Sequence, residues 1–443
     1  MGNLMTSGLA RLQTTLDNTD PVFRSGRLVG MIGLVAEVEG INASVGDICR
    51  IETGRSEGEV IAEVVGFRDD RVLVMPFSHA TGIGEGSMVF PAGKPMSVPV
   101  GDALLGRVIG AMGEPIDNLG EIRTGEWRRL DNNAPSPLDR RPISTMMETG
   151  IKAIDSVLPC GMGQRMGIFS GSGVGKSVLL GMICRNAISD VNVIAMIGER
   201  GREVREFIDN ILGPEGLSRS VIVAVTSDRS PVMRVKGAET AMAIAEYFRD
   251  RGQNVMFMMD SVTRYAMAQR EIGLAVGEPP TSRGYTPSVF AKLPALLERA
   301  GSGTTGSITG FYTVLVEGDD ISADPLTDAI RAILDGHVVL SRRLANMNQY
   351  PAIDVLQSIS RLAPVFLSPQ QKERRDKVMK WLADYREAED LINIGAYVTG
   401  SNPSIDTAIE MNDQLRQFFR QEISESISFA ETESSLAGIV DGV

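Results

Sequence analysis

The chain has 443 residues, with 44 basic and 56 acidic side chains and a formal net charge of −12. That length exceeds what one hydrophobic core serves, so two or three domains are expected, and a composition 43 % hydrophobic and 23 % charged is ordinary for a globular protein. The acidic balance disfavours a nucleic-acid binder, and no run approaches the ~18 apolar residues of a membrane span.

In chain order, residues 1–20 are polar with Leu4, Leu9, Leu12 and Leu16 at roughly helical spacing, which predicts a short amphipathic helix suited to a partner. From Phe23 to about Gly93, short β-like runs alternate with glycine-containing turns, the pattern of a small β-barrel. A Pro/Gly-rich stretch from Pro99 to Pro142 reads as a connecting layer. From about Thr149, apolar β-branched segments (Val191–Ile197, Val221–Thr226, Val255–Met259, Ile308–Val316) alternate with helical stretches, which predicts a parallel sheet covered on both faces. After about Pro369 the chain turns charged and helical, with helices expected over Gln370–Ala388 and Asp406–Ser424 and a weakly patterned, mobile tail over Ser426–Val443. Cys49, Cys160 and Cys184 are too far apart for a zinc or disulfide framework and fit a reducing cytoplasm; Cys184 is expected to fill core. Of the two histidines, His79 and His337, the latter reads as a turn residue at a helix-to-strand junction, and histidine catalysis is a poor expectation.

The chemistry centres on Ser170–Ser177, S-G-S-G-V-G-K-S, set between an apolar strand-like run and a helix-like one. Gly171, Gly173 and Gly175 let the backbone curl with its N–H groups toward phosphate oxygens; Ser172 and Val174 complete the loop and Val178 continues into the helix. Lys176 can reach the terminal phosphates of ATP, and the Ser177 hydroxyl can ligate Mg²⁺. Strict G-x-x-x-x-G-K-[ST] has glycine where this chain has Ser170, a small residue read as a tolerated variant. Val255–Asp260 ends a buried strand on a carboxylate, the place for an aspartate beside Mg²⁺. Ile197–Glu203, I-G-E-R-G-R-E, follows another strand: Glu199 is the candidate to orient and polarise the attacking water, and Arg200 can steady that carboxylate or touch phosphate. Arg264, one helical turn past Asp260, can project toward the phosphates. Each of these charges is also compatible with a solvated cluster or a surface ion pair.

With Pro351–Ser360, P-A-I-D-V-L-Q-S-I-S, and the Arg361 that follows, the chain resembles the catalytic subunits of the rotary-ATPase family, which includes F- and V-type ATPases and the ATPases of flagellar and virulence type III secretion. The resemblance implies a fold of N-terminal β-barrel (21–95, after the 1–20 segment), RecA-like parallel-sheet ATP-binding domain (96–365) and C-terminal helical domain (366–443). It implies that Glu199, Arg200, Asp260 and Arg264 fall on catalytic positions, that Tyr350 stacks on adenine, and that Arg361 is a finger entering the neighbouring subunit's site. Gly277–Gly301, Asp328–Arg342, Phe311–Asp320 and Tyr385–Tyr397 resemble the secretion branch and, within it, flagellar members. That branch implies a homohexamer at the inner face of the bacterial cytoplasmic membrane. Its implied partners are a dimeric regulator on the N-terminal helix, export chaperones and substrates, a central stalk protein and the membrane export gate. A virulence secretion ATPase, an F-type β-like subunit and a hexameric RNA translocase stay open as alternatives. A non-catalytic ring subunit is disfavoured because that branch carries glutamine at the position of Glu199.

Overall fold

The computed structural model describes residues 25–54, 58–93, 95–316 and 324–442. The amphipathic helix expected over 1–20 lies outside the described residues. Contacts divide the chain into two compact units. One ends at Met96 and includes Ala275–Gly277, and the other holds Ser97–Leu274 and Glu278 onward.

The first unit is a closed six-stranded antiparallel barrel built from Gly26–Ile32, Val35–Glu39, Ile48–Glu52, Glu59–Arg68, Arg71–Pro76 and Met88–Pro91. Alternation makes its core. Along Glu59–Arg68, Val60, Ala62 and Val64 turn inward and meet Leu28, Val38, Cys49, Ile51, Val74 and Val89. Register shifts at Leu28/Gly30 and Val64/Gly66 mark bulges, which bend a small sheet far enough to close.

The second unit is built on a sheet of nine strands, parallel through its centre. The order across it is Ile359–Ser360, Gly336–Leu340, Arg165–Ser170, Ser307–Leu315, Asn254–Asp260, Val191–Ile197, Ser220–Val225 and Val108–Ile109, with Gly301–Ser302 paired antiparallel onto Ser307–Leu315. Val191–Ile197 and Ser220–Val225 are buried at every position, as unbroken β-branched runs require when helices cover both faces. The helix Pro231–Asp250, started by Pro231 and capped by the Ser230 hydroxyl, packs along one face, and most of its side chains are buried. The Pro/Gly-rich stretch read as a connecting layer contributes more than a connection. Val108–Ile109 extends the sheet at one edge, and Ser97–Val100 pairs with Glu126–Arg129 as a separate ribbon.

The helices Pro369–Asn393, Pro403–Phe419 and Phe429–Val440 belong to this same unit. Val378, Trp381, Met411, Leu415 and Leu436 join one continuous core with the strands. Two sequence expectations need correction. The tail read as mobile folds into a helix over Phe429–Val440, because Ser428 and Glu431 form a capping box and Leu436 and Val440 are buried. His337, read as a turn residue, lies inside a strand with its ring edge-on to Phe169 and its Nε2 3.1 Å from the Gln357 carbonyl. Cys184 is buried in the core as expected, and burial pushes its thiol up to about 12. Among the described residues, no helix is long and apolar enough to cross a membrane.

Candidate active site

Three adjacent features end at the carboxyl edge of the parallel sheet, where ligands of open α/β sheets bind. The strand Arg165–Ser170 runs into the loop 171–175, and the helix Lys176–Asn186 begins directly after it. Gly173 and Gly175 have φ of 77° and 87°, left-handed values that a side chain would resist, so glycine is required at these turns. Ser170 needs no such freedom: it is the last residue of a strand, buried, with its hydroxyl unpartnered, and serine is accommodated there. Val174 is buried, Val178 packs half-buried on the core, and Ser172 and Ser177 are exposed.

Lys176 projects from the first turn of its helix, with Nζ 2.5 Å from Asp260 Oδ1 and 3.8 Å from Glu199 Oε1. Asp260 ends the strand Asn254–Asp260, and Glu199 follows the neighbouring strand Val191–Ile197. Thr313, on the strand inserted between those of Lys176 and Asp260, donates its hydroxyl to Asp260 Oδ1 at 2.8 Å and so fixes that carboxylate's rotamer. Burial, reinforced by the Asp260 carboxylate, pushes Glu199 up to about 7, although Lys176 pulls in the opposite direction. Its Oε1 has no hydrogen-bond partner.

Arg264 lies across the backbone of Gly198: a Cβ at that glycine would sit 2.8 Å from Arg264 Cβ, so the close approach needs glycine. Arg264 Nε is buried and unpartnered beside the carboxylate pair. An unsatisfied donor, an unsatisfied carboxylate oxygen and a lysine aimed at both carboxylates are what a site for a polyphosphate and an attacking water requires. Magnesium fits the donor set, since Ser177 and Asp260 offer the hard oxygens it prefers and phosphates supply the rest. Tyr350 is 41 % exposed, and its ring carbons lie 3.5 Å from where a Gly175 side chain would begin. Gln421 fixes it from the helical region by donating its N–H to the Tyr350 carbonyl at 2.9 Å. Tyr350 therefore presents a half-open aromatic face against the loop, of the kind on which a planar ring can stack.

Two expected residues lie elsewhere. Arg200 does not steady Glu199: its side chain, 77 % exposed, turns to Glu203 at 3.2 Å, and its backbone starts the helix Gly201–Glu206. Arg361 is exposed and follows Ile359–Ser360, which pairs with the start of Gly336–Leu340. The loop leaves from the other end, since Ser170 is opposite Leu340. Four residues of strand separate the two, roughly 13 Å along the sheet. Sequence reasoning missed Thr313, one of four hydroxyl-bearing residues in Ser307–Leu315 with Ser307, Thr309 and Tyr312, so no local signal singled it out.

Comparison with known proteins adds three family matches. Residues 150–360 match the nucleotide-binding domain of the ATP synthase alpha/beta family, 28–93 its beta-barrel domain, and 367–438 the T3SS EscN ATPase C-terminal domain. The chain is 52 % identical over 429 residues to the flagellum-specific ATP synthase of Treponema pallidum, covering 97 % of this chain and 96 % of that one. It is 48 % identical over 436 residues to the type 3 secretion system ATPase of Xanthomonas euvesicatoria, covering 97 % and 98 %. The structure of the assembled ATPase EscN, from the type III secretion system of enteropathogenic E. coli, superposes with a TM-score of 0.89 at 44 % identity, over 94 % of this chain and 100 % of that one.

Proposed function

The chain belongs to the ATP synthase alpha/beta family, in its type III secretion branch, and on that premise we propose that it is a Mg-ATP-hydrolysing homohexameric ATPase that energises flagellar protein export. The observation that carries the catalytic reading is the convergence of Lys176, Asp260 and Glu199 at one sheet edge, with an unpartnered carboxylate oxygen and an unpartnered arginine nitrogen beside them. Lys176 and the loop N–H groups hold the β- and γ-phosphates; Ser177 and Asp260 would hold Mg²⁺, which would supply positive charge beside the phosphates. Glu199 orients the water that attacks the γ-phosphorus, Arg264 donates to phosphate, and Tyr350 stacks on adenine. Arg200, exposed and turned to Glu203, takes its part in the site from the neighbouring subunit's side. Arg361 completes the site next door.

The EscN structures are of an assembled ATPase, one of them in complex with its central stalk EscO. By analogy this chain forms a ring around a stalk protein at the cytoplasmic face of the membrane, with export chaperones, substrates and the export gate as further partners and a dimeric regulator on residues 1–20. Deleting the gene is expected to abolish swimming and filament assembly, with rescue by the wild-type chain and none by Lys176→Ala. A deletion strain that swims normally would move the assignment to the virulence branch.

The raised Glu199 has a kinetic consequence. The pH dependence of kcat/KM reports groups of the free enzyme. With Mg²⁺ saturating, kcat/KM is expected to fall as pH drops through about 7, because Glu199 then takes up a proton and cannot polarise water. A profile flat from pH 6 to 8 would remove Glu199 from that role.

A further inference from the structure

The phosphate loop has an outer side. Its N–H groups face inward to phosphate, which leaves carbonyls facing away, and an unsupported carbonyl there lets the loop relax out of its cradle shape. On that outer side, Arg342 Nη2 donates to the Ser172 carbonyl at 3.5 Å. The same nitrogen lies 3.3 Å from where a Gly171 side chain would begin, so a side chain there would press on the exposed guanidinium. Among the described residues Arg342 pairs with no carboxylate, so its charge is directed at the loop alone. Beneath the loop is a cavity of about 290 Å³, lined by Ser170, Gly171, Val174, Arg342, Asp354 and Arg386. On this side the loop contributes the buried Val174 and receives the contact from Arg342.

The residue is itself held in place. Its short helix Arg342–Asn346 is capped by Ser341, whose N–H donates to the Ala352 carbonyl at 2.8 Å. The adjacent Arg343 pairs with Glu389 at 2.5 Å, and Asp354, nearly buried, takes Arg386 at 2.9 Å. Glu389 and Arg386 both lie on the helix Pro369–Asn393, so the support under the loop is anchored in the helical region.

We propose that Arg342 is a positioning residue for the phosphate loop, holding its outward backbone so that the inward N–H groups are set for the β- and γ-phosphates of ATP. This rests on the reading of Ser170–Ser177 as a phosphate loop. An interaction that shapes the loop acts alike on bound substrate and transition state, so its loss raises KM and spares kcat. It also acts through the β-phosphate, so ADP suffers and AMP does not.

The test measures ADP binding by calorimetry, AMP by competition, and steady-state ATP hydrolysis for Arg342→Ala, Arg342→Lys, Gly171→Ala and Lys176→Ala. Arg342→Ala is expected to weaken ADP and raise KM about threefold, the scale of one long hydrogen bond, with kcat and AMP affinity near wild type. Arg342→Lys keeps the charge and recovers part of the loss; Gly171→Ala, which pushes the guanidinium aside, reproduces it in weaker form. Wild-type ADP affinity in Arg342→Ala overturns the proposal, as does an equal loss for ADP and AMP or a fall in kcat at constant KM. Lys176→Ala separates the two readings. If it binds ADP normally, the phosphate-loop reading itself is wrong; if it fails while Arg342→Ala is unaffected, only the role of Arg342 is.

Discussion

Replacing Glu199 with glutamine is expected to leave ATP bound and to slow its hydrolysis by about 10²–10⁴-fold, the range typical of a lost general base. Glutamine is nearly isosteric, so the pocket between Lys176 and Asp260 keeps its shape. What disappears is the acceptor strength of a carboxylate whose Oε1 has no hydrogen-bond partner and is therefore available to a water. Single-turnover measurement separates the effects: nucleotide affinity stays within a few-fold while the chemical step collapses. Hydrolysis at the wild-type rate would show that water is positioned by another group.

The same substitution makes a stability prediction of the opposite sign. Burial raises the folded-state pKa of Glu199 above the ordinary carboxylate value of 4.5, to about 7. Between those values the folded chain holds more protons than the unfolded one, so wild-type stability is lost as pH rises through that window. Glutamine carries no such charge. The melting temperature of Glu199→Gln, without nucleotide, should therefore gain on wild type as pH rises from about 5 to 8. Loss of activity with a gain in stability is the signature of a site that holds an unfavourable charge for function rather than for folding.

Much of this site was legible because its chemistry is local in the chain. The phosphate loop lies within eight consecutive residues, and Glu199 and Asp260 each follow a β-branched or apolar run whose parallel pairing brings their ends to one edge. The barrel was legible for a similar reason, since alternation along Glu59–Arg68 states which face is inside. What escaped depended on long-range geometry. Thr313 donates to Asp260 only because its strand is inserted between those of Lys176 and Asp260, an order that no local pattern contains. Arg342 reaches the loop because Gly336–Leu340 pairs with Arg165–Ser170 and delivers the next residues under it. Arg200 shows the converse: adjacency to Glu199 suggested contact, yet a strand-to-helix turn sends consecutive side chains in different directions. The C-terminal helix was a missed local signal, the S-F-A-E of a capping box before a short apolar stretch.

Arg361→Ala is expected to bind nucleotide and to hydrolyse it about 10³–10⁵-fold more slowly, the loss associated with an arginine finger. The fold should not suffer, because the guanidinium is exposed and its hydrogen bond among the described residues is a long one, 3.5 Å, to the Arg331 carbonyl. The stronger test exploits its position. Lys176 leaves the carboxyl end of the strands and Arg361 follows a strand paired at their amino end, so reaching its own phosphate site would require Arg361 to cross the sheet's length. In the proposed ring the two would come from different subunits of one site. Arg361→Ala and Lys176→Ala are each inactive alone, but in mixed rings some interfaces join an intact Lys176 to an intact Arg361 from the neighbour. Random equimolar mixing makes roughly a quarter of interfaces complete, and a single-turnover assay reads them without requiring the whole ring to cycle. Recovery of hydrolysis in the mixture places Arg361 in trans. If the mixture stays as inactive as its components while native electrophoresis or mass measurement shows mixed hexamers, Arg361 does not complete a neighbour's site, because no interface would then be repaired by exchange.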